Sequence, residues 1–355
     1  MVHKYNKGEW SELYAFLYSL ANGELYGADE NLFKDSAIRY DIISAFQSDN
    51  EYFRNISNST IDFEIQGKLY TVPFDIFQIE TKKLFESIKN GVGSTFAIPN
   101  IEPFIENLKI HSLKAGNKLK GDLVIKVHDV MTSTQPKLSF SVKSYIGGRA
   151  TLLNSSNGTS FTYNVVSASD TLSIEDIEEI NNINGSSKIK DRIAKIYEKG
   201  AKLEFESVSS DIFSRNLQMI DYRMPELLSY LFEESYFVKG KRIPEVLNSY
   251  VKKTDENKEI IEYKIKQLLV ACALGMVPKT PWHGLDEATG GYIVVKDNAE
   301  VLCYHIYDRN KLSQYLYTHT SFDTPSTSRY KNVGKIVLDA ATHRYKFCLN
   351  LQIRF

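Results

Sequence analysis

Cysteine is scarce in this chain of 355 residues. Its three cysteines, Cys272, Cys303 and Cys348, lie far apart, and no two of them have the Cys-X-X-Cys spacing. A disulfide framework needs more cysteines, and a zinc finger needs metal ligands in closely spaced pairs. The sequence therefore indicates neither class, and we expect a reduced, cytoplasmic protein.

Long hydrophobic runs are also absent. The longest run, Leu268 to Val277, is only half of the roughly 20 apolar residues that a membrane-spanning helix needs. The segment Met1 to Glu9 lacks the apolar stretch of a secretory signal peptide. We therefore expect a soluble protein that is not exported and has no membrane partner.

The chain has little net charge. Lys and Arg together number 43 and Asp and Glu 44, so the formal net charge is -1. The 43% hydrophobic and 25% charged residues are typical of a globular protein. Any affinity for nucleic acid must therefore come from local basic patches rather than from a global positive field.

Carboxylates are missing from one internal segment, which runs from residue 130 to residue 169. The segment contains Lys137, Lys143, Arg149 and the polar stretch Thr151 to Thr159. Hydroxyl, amide and basic groups without nearby acids suit contacts with a phosphate backbone. The same composition means that this segment cannot supply a carboxylate ligand to a metal ion.

Hydrophobic periodicity predicts an α/β (α+β) fold, with a mixed central sheet flanked by helices. We expect a largely helical second half and an antiparallel sheet at the C-terminus. The predicted elements are helices at 9–21, 74–90, 174–200, 209–217, 224–238, 244–252 and 257–277, hairpins at 61–72 and 120–144, and strands at 201–208, 291–296, 300–307, 333–338 and 344–353. We expect residues 1–175 to form a catalytic domain and residues 176–355 a helical and β region that contributes to DNA recognition and is a candidate for dimer contacts.

The hairpin at 120–144 carries the most suggestive residues. A turn centred near Ser133 and Thr134 would pair Val124 with Lys143, which places Asp122 diagonally from Lys143 on the same face. Asp129 would then lie about 17 Å along the strand from Lys143, too far away to share a metal ion. Asp122 is therefore the preferred acid, and Asp129 is the runner-up.

An acid and a lysine on adjacent strands suit phosphodiester hydrolysis. A hard cation such as Mg²⁺ takes oxygen ligands, and a lysine can orient water and stabilise developing charge. Ser141 stands where many such sites have a second carboxylate, so the first helix has to supply the missing acid. We expect Glu9 rather than Glu12, because Glu9 borders the apolar face of that helix, although a solvated role for either glutamate is the usual outcome.

Other chemistries are weaker. His128 and Asp129 are adjacent, so in a strand they would point apart. Cys303 and His305 share one strand face but have no second ligand pair nearby. The glycine pairs of the chain lack the spacing of a phosphate loop, so we expect no nucleotide cofactor. A catalytically inactive DNA-binding protein and a purely structural protein remain alternatives.

Several sequence blocks resemble the HpaII-type restriction endonucleases, nearly from end to end. The blocks are Asn6–Glu12, Phe140–Ser144, Thr151–Asn154, Thr289–Tyr292, Cys303–Asn310, Asp323–Ser326 and Leu349–Phe355. The resemblance implies a type II restriction enzyme with a PD-(D/E)XK-like core that depends on Mg²⁺ and cuts double-stranded DNA at CCGG within a restriction-modification system. The Ser141-Val142-Lys143 triplet is similar to the SxK variant of the nuclease motif, whereas Gly121 stands where the motif has proline.

The hairpin geometry motivates a hypothetical role for each candidate catalytic residue. Asp122 and Glu9 would bind the metal, with Glu12 as the alternative, Lys143 would orient the attacking water, and Ser141 would assist. Donors and acceptors that could read G·C pairs or contact phosphates are Arg149, Asn154, Ser155, Asn157, Thr159, Arg309, Ser326, Ser328, Arg329 and Lys331. The implied partners are double-stranded DNA and, as a candidate, a second copy of the chain in a homodimer.

Overall fold

The computed structural model describes residues 4–48, 50–113, 121–129, 133–167, 172–324 and 332–355. The chain forms two compact units. The first comprises Met1–Ala150, Ala273–Gly275 and Asp286–Tyr315, and the second Thr151–Cys272, Met276–Leu285 and Leu316–Phe355. No described helix is both long enough and apolar enough to cross a membrane.

Helices and strands of both units are numbered here in chain order. The helices are α1 (Lys7–Asn22), α2 (Phe74–Asn90), α3 (Glu102–Asn107), α4 (Ile174–Asn182), α5 (Lys188–Glu198), α6 (Asp211–Gln218), α7 (Met224–Glu234), α8 (Ile243–Thr254), α9 (Lys258–Leu274) and α10 (Arg309–His319). The strands are β1 (Glu24–Ala28), β2 (Lys34–Gln47), β3 (Asn50–Asn55), β4 (Thr60–Ile65), β5 (Lys68–Pro73), β6 (Leu123–His128), β7 (Lys137–Ser144), β8 (Thr151–Leu153), β9 (Ser160–Ser167), β10 (Ala201–Val208), β11 (Gly291–Val295), β12 (Val301–His305), β13 (Ser321–Asp323), β14 (Ile336–Asp339), β15 (Arg344–Asn350) and β16 (Gln352–Arg354).

The first unit is built on one mixed sheet. Among the described residues, nine strands pair in the order β1-β12-β11-β7-β6-β2-β3-β4-β5. Strand β11 runs parallel to β7 and β12 runs parallel to β1, whereas the other neighbours are antiparallel. Because β1 also pairs with β2, six of the strands form a closed circuit. The predicted mixed sheet is thus confirmed.

Helix α1 lies at the centre of the first unit. Asn6 caps its first turn in a capping box with Glu9, and Gly23 ends it in the left-handed conformation, at a φ of 75°. Buried side chains run almost without interruption from Trp10 to Ala21. The helix is therefore buried on more than the one face that its apolar periodicity indicated.

One face of the sheet forms the core with α1 and α2. Leu123, Ile125 and Val127 of β6 contribute to it, and so do Phe140 and Val142 of β7. These positions alternate along the two strands, so the residues between them face the other side.

The second unit combines helices with two antiparallel sheets. One sheet has the order β10-β9-β15-β14, and the other has the order β13-β16-β8. Most of the helical segments predicted between residues 174 and 277 are found in this unit. The largely helical second half and the C-terminal antiparallel sheet are confirmed.

The boundaries of the two compact units differ from the domain boundary predicted at residue 175. The chain leaves the first unit after Ala150, and strands β11 and β12 return to it more than a hundred residues later. The units describe how the chain packs and not which part contacts DNA. The assignment of catalysis to 1–175 and recognition to 176–355 therefore stays a prediction.

Candidate functional site

Strands β6 and β7 form the predicted antiparallel hairpin, but in another register. Leu123 lies opposite Phe140 and Val124 opposite Ser139, so the predicted pairing of Val124 with Lys143 is wrong. The midpoint between paired residues of the two strands lies two residues nearer to the N-terminus than the predicted turn at Ser133 and Thr134. Because the shift is an even number of residues, every side chain keeps its predicted face.

The Asp122 carboxylate is held directly by β7. The backbone N–H of Val142 donates to Asp122 Oδ2 at 2.8 Å, and Ser141 Oγ donates to the same oxygen at 3.3 Å. The backbone N–H of Asp122 donates to the carbonyl of Phe140 at 3.0 Å. These bonds orient Asp122 and place Ser141 beside it, and neither side-chain bond uses Oδ1.

The backbone at Gly121, the residue before Asp122, leaves little room for a side chain. A Cβ atom built on Gly121 would lie 1.8 Å from Ser139 Oγ, far inside van der Waals contact. A proline ring would need still more room. The glycine at this position, where the family motif has proline, thus follows from the close approach of β7.

Helix α1 packs against the hairpin, as the sequence required. Ser11 Oγ and Ser144 Oγ are hydrogen-bonded at 2.8 Å, and Ser11 Oγ also lies 2.7 Å from the carbonyl oxygen of Lys7. The shared core of α1, Phe140 and Val142 supports the same contact. The glutamates of the first turns of α1 are thereby brought to the hairpin from more than a hundred residues away in the chain.

The charges of Asp122 and Lys143 both affect the pKa of Glu12. The pKa of Glu12 is raised to about 8, first by burial and then by the charge of Asp122, while the Lys143 ammonium lowers it and the charge of Glu9 raises it. Two carboxylates that repel each other in a partly buried place would be stabilised by a cation between them. Glu12 was the less favoured glutamate of the sequence analysis.

Glu9 has another task in this structure. Its Oε2 accepts a hydrogen bond from the backbone N–H of Asn6 at 2.9 Å, and its own N–H donates to Asn6 Oδ1 at 3.0 Å. This reciprocal pair begins helix α1. The geometry therefore favours Glu12 over Glu9 as the second carboxylate beside Asp122.

Asp129 lies at the far end of β6, where it forms an isolated bridge with Thr134. Its neighbours there are aromatic. The charge of Asp129 contributes to the raised pKa of Tyr307, after burial, and it opposes the burial that lowers the pKa of His305. The structure brings Asp129 to these groups and not to Asp122 and Lys143.

The donor set suits a hard cation with few protein ligands. Within the described ranges no group of three or more His, Cys, Asp or Glu side chains is arranged as a ready-made metal site. Glu12 and Asp122 offer carboxylate oxygens only, which Mg²⁺ prefers, and Mg²⁺ usually retains several of its water ligands. The residues present therefore fit Mg²⁺ better than a zinc-like metal.

A tyrosine that sequence reasoning did not assign lies next to the site. Tyr292 on β11 is aligned with Ser141 in the parallel pairing, and the side chain of Tyr292 is fully buried. Burial, the nearby Tyr145 and the charge of Asp122 raise the pKa of Tyr292. The only sequence signal was its place in the family block Thr289–Tyr292, because the strand pairing itself joins distant parts of the chain.

The predicted DNA contacts occupy different environments. Arg149, Asn154 and Asn157 are exposed, and Ser155 is half-buried. Arg309 forms an ion pair with Asp286. Arg149 and Arg309 belong to the first unit and the others to the second. Four further candidates lie outside the described residues: Ser326, Ser328, Arg329 and Lys331.

Thr159 is a correction among these candidates. It is fully buried, and its hydroxyl accepts from the backbone N–H of Ser156 and shares its one proton between the carbonyls of Ser156 and Leu351. A hydroxyl that is buried and serves the backbone in this way cannot reach DNA. Its polar side chain stabilises the turn before β9.

Comparison with known proteins identifies the family of the chain. The family model described as HpaII restriction endonuclease matches residues 6–355. The type II restriction enzyme HpaII of Haemophilus parainfluenzae is 39% identical over 361 residues, which cover 99% of this chain and 98% of that protein. No solved structure matches. The chain therefore belongs to the HpaII restriction endonuclease family and is a site-specific deoxyribonuclease.

Proposed function

We propose that this enzyme hydrolyses double-stranded DNA at CCGG sites, depends on Mg²⁺ and serves a restriction-modification system in the cytoplasm. The family membership and the similarity to the Haemophilus parainfluenzae enzyme support this specificity. The CCGG sequence and the metal are the finer part of the proposal, because they rest on the resemblance and on the fit of the carboxylates.

One observation carries the proposal. Helix α1 brings Glu12 to the hairpin, where its pKa responds to Asp122 and to Lys143. Two carboxylates and one lysine in a partly buried place are the groups that metal-assisted phosphodiester hydrolysis requires.

Each side chain has a separate task in this proposal. Asp122 and Glu12 would hold Mg²⁺, which supplies an activated water and neutralises charge on the cleaved phosphate. Lys143 orients the attacking water and stabilises the charge that develops on the phosphate. Ser141 and the N–H of Val142 fix the Asp122 carboxylate, and Glu9 begins the helix that carries Glu12.

DNA contacts are proposed for the exposed or partly exposed polar residues. They are Arg149, Asn154, Ser155, Asn157 and Arg309, together with Ser326, Ser328, Arg329 and Lys331 outside the described ranges. Thr159 is left out because it is buried. A homodimer is part of the proposal as well, because a two-fold symmetric enzyme matches a palindromic site.

A plasmid digest tests the proposal. The purified protein is incubated with two plasmids, one with CCGG sites and one without, in Mg²⁺ or in EDTA, and the product ends are sequenced. We expect cuts only at CCGG and only with Mg²⁺. A mobility shift without new ends would instead identify a DNA-binding protein that does not cleave, and cuts at other sequences would reject the CCGG assignment.

A further inference from the structure

The face of the hairpin that carries Asp122 also carries two further lysines, Lys126 and Lys137. Leu123, Ile125 and Val127 of β6 belong to the core, so Asp122 and Lys126 face away from it. This outer face of β6 and β7 carries Asp122, Ser141 and Lys143 of the candidate site.

Strand β7 shows the same alternation. Phe140 and Val142 enter the core, whereas Lys137, Ser141 and Lys143 lie on the outer face. Lys137 is exposed and Lys143 is half-buried. Basic side chains therefore lie at both ends of β7 on the face of the candidate site.

Two lysines are directly opposite each other on this face. Lys126 of β6 pairs with Lys137 of β7 in the register of the hairpin. Cross-strand partners have Cβ atoms about 5 Å apart, and like charges in such pairs destabilise a sheet. A pair of this kind requires a compensating partner or a function.

The protein itself provides little compensation. In the described part of the chain, neither lysine forms an ion pair with a carboxylate. The Lys137 ammonium lies 3.5 Å from the centroid of the Phe46 ring, which holds it above the sheet. One acid does lie on this face, because Ser44, opposite Lys126, donates to the carboxylate of Glu51. Two cations that form no ion pair with this acid suit an external anion.

We propose that Lys126 and Lys137 form a second phosphate subsite for the DNA backbone, an inference that rests on double-stranded DNA being the substrate. Lys126 lies four residues beyond Asp122, about 13 Å along the strand. Since the rise of duplex DNA is about 3.4 Å per base pair, the phosphate bound there lies a few nucleotides from the cleaved bond. The contact is independent of sequence and positions the duplex on the catalytic hairpin.

The salt dependence of binding tests this subsite. We compare the wild type, the double variant Lys126→Ala/Lys137→Ala and the control Lys82→Ala/Lys89→Ala. The control removes two exposed lysines from α2, which shares the core on the opposite face of the sheet. Affinity for a duplex with CCGG and for one without it is measured by anisotropy over a series of salt concentrations, in EDTA to prevent cleavage.

We expect the double variant to lose affinity for both duplexes by the same factor. The slope of log affinity against log salt should fall by about 0.9, which is the contribution of one neutralised phosphate. The control should keep the slope of the wild type. An unchanged slope in the double variant would overturn the inference, whereas a wild type that binds neither duplex would overturn the proposed function instead.

A charge reversal separates binding from folding. Lys126→Glu replaces the repulsive pair with an attractive one, so its thermal unfolding midpoint should equal or exceed that of the wild type. Its DNA affinity should fall below that of Lys126→Ala, because a carboxylate repels phosphate. A lower midpoint together with wild-type affinity would show that the lysines serve the fold, and it would contradict the subsite.

Discussion

At the scale of single residues, the candidate site depends on the side chains that α1 and the hairpin of β6 and β7 bring close to one another. Asp122 is fixed by two hydrogen bonds from β7, and Glu12 is close enough for its pKa to respond to Asp122 and Lys143. The chain offers matched controls for both carboxylates. Asp129 is the other acid of β6, and Glu9 is the other glutamate of the first turns of α1.

Asp122→Asn and Lys143→Ala should abolish most cleavage. The first change removes a carboxylate ligand and the second a cationic group, and each should lower the rate by about 100-fold to 1000-fold. Single-turnover cleavage of a CCGG duplex measures the rate, and DNA affinity should change much less. Asp129→Asn is the control and should cleave at a rate near that of the wild type. Full cleavage by Asp122→Asn would move the site to Asp129.

Glu12→Gln and Glu9→Gln should separate the two glutamates. Loss of the Glu12 carboxylate should slow cleavage by about 100-fold, which corresponds to about 2.7 kcal/mol in the activation free energy. Glutamine at position 9 can still complete the capping box, so that variant should lose less than about tenfold. Both rates are measured over a Mg²⁺ titration. The reverse order would place Glu9 in the metal shell, as the apolar periodicity first suggested.

At the scale of secondary-structure elements, the second unit relies on buried polar side chains that join its helices to its strands. Arg192 of α5 is almost fully buried and donates to the carbonyls of Gly334, Asn181 and Ile183. Glu233 of α7 is buried beside Glu234. The first interaction stabilises the unit, and the second lowers its stability at neutral pH.

Arg192→Met should destabilise the second unit strongly. The substitution leaves three carbonyl groups without their donor, and the expected loss of unfolding free energy is about 3 to 5 kcal/mol. Chemical denaturation monitored by circular dichroism measures the loss. Lys195→Ala on the same helix removes only solvent-accessible ion pairs with Glu179 and Glu198 and should lose much less stability. Equal losses in both variants would contradict a structural role for the buried guanidinium.

Glu233→Gln should flatten the dependence of stability on pH. Burial, followed by the charge of Glu234, raises the pKa of Glu233 to about 8. The folded protein therefore keeps a proton that the unfolded chain loses at its lower pKa, so stability falls as pH rises from about 4.5 to about 8. The variant should gain on the order of a few kcal/mol over the wild type at pH 8 and little at pH 4.5 in thermal or urea unfolding. Glu234→Gln, which loses the ion pair with Lys253, should show no such gain.

At the scale of the whole molecule, the chain leaves the first unit and returns to it. Strand β7 has β6 on one side and the much later β11 on the other, and β12 completes the circuit to β1. Ile293 and Val295 of β11 are fully buried in the same core as Phe140 and Val142. The hairpin of β6 and β7 therefore depends on β11, which follows most of the second unit in sequence.

A fragment of residues 1–175 should fail to fold as an independent catalytic domain. Without β11 and β12, the buried edges of β7 and β1 are exposed and the core loses the apolar side chains of both strands. We expect no cooperative unfolding transition in the fragment by circular dichroism or calorimetry. The full-length chain is the control. A fragment with a cooperative transition would support the predicted boundary as a folding unit.

The sequence anticipated local elements well and distant pairings poorly. Helix α2 and the hairpin of β4 and β5 lie where periodicity and Gln66-Gly67 placed them, because local spacing and turn chemistry decide such elements. Strand β2 was not predicted, although it lies beside β6 near the middle of the sheet. Apolar and polar residues alternate only weakly along β2. Its pairing with β1, β3 and β6 depends on tertiary packing.

By itself, the sequence determined the α+β class and the hairpin with Asp122, Ser141 and Lys143 on one face, and it led to the prediction that the first helix supplies a second acid. These conclusions depend on periods of 2 and 3.6 residues and on local turns, which the chain encodes over short distances. Only the tertiary structure decided the register, the preference for Glu12 over Glu9, and the opposition of Lys126 and Lys137. These depend on how deeply α1 is buried and how β6 meets β7, which no short stretch of residues specifies.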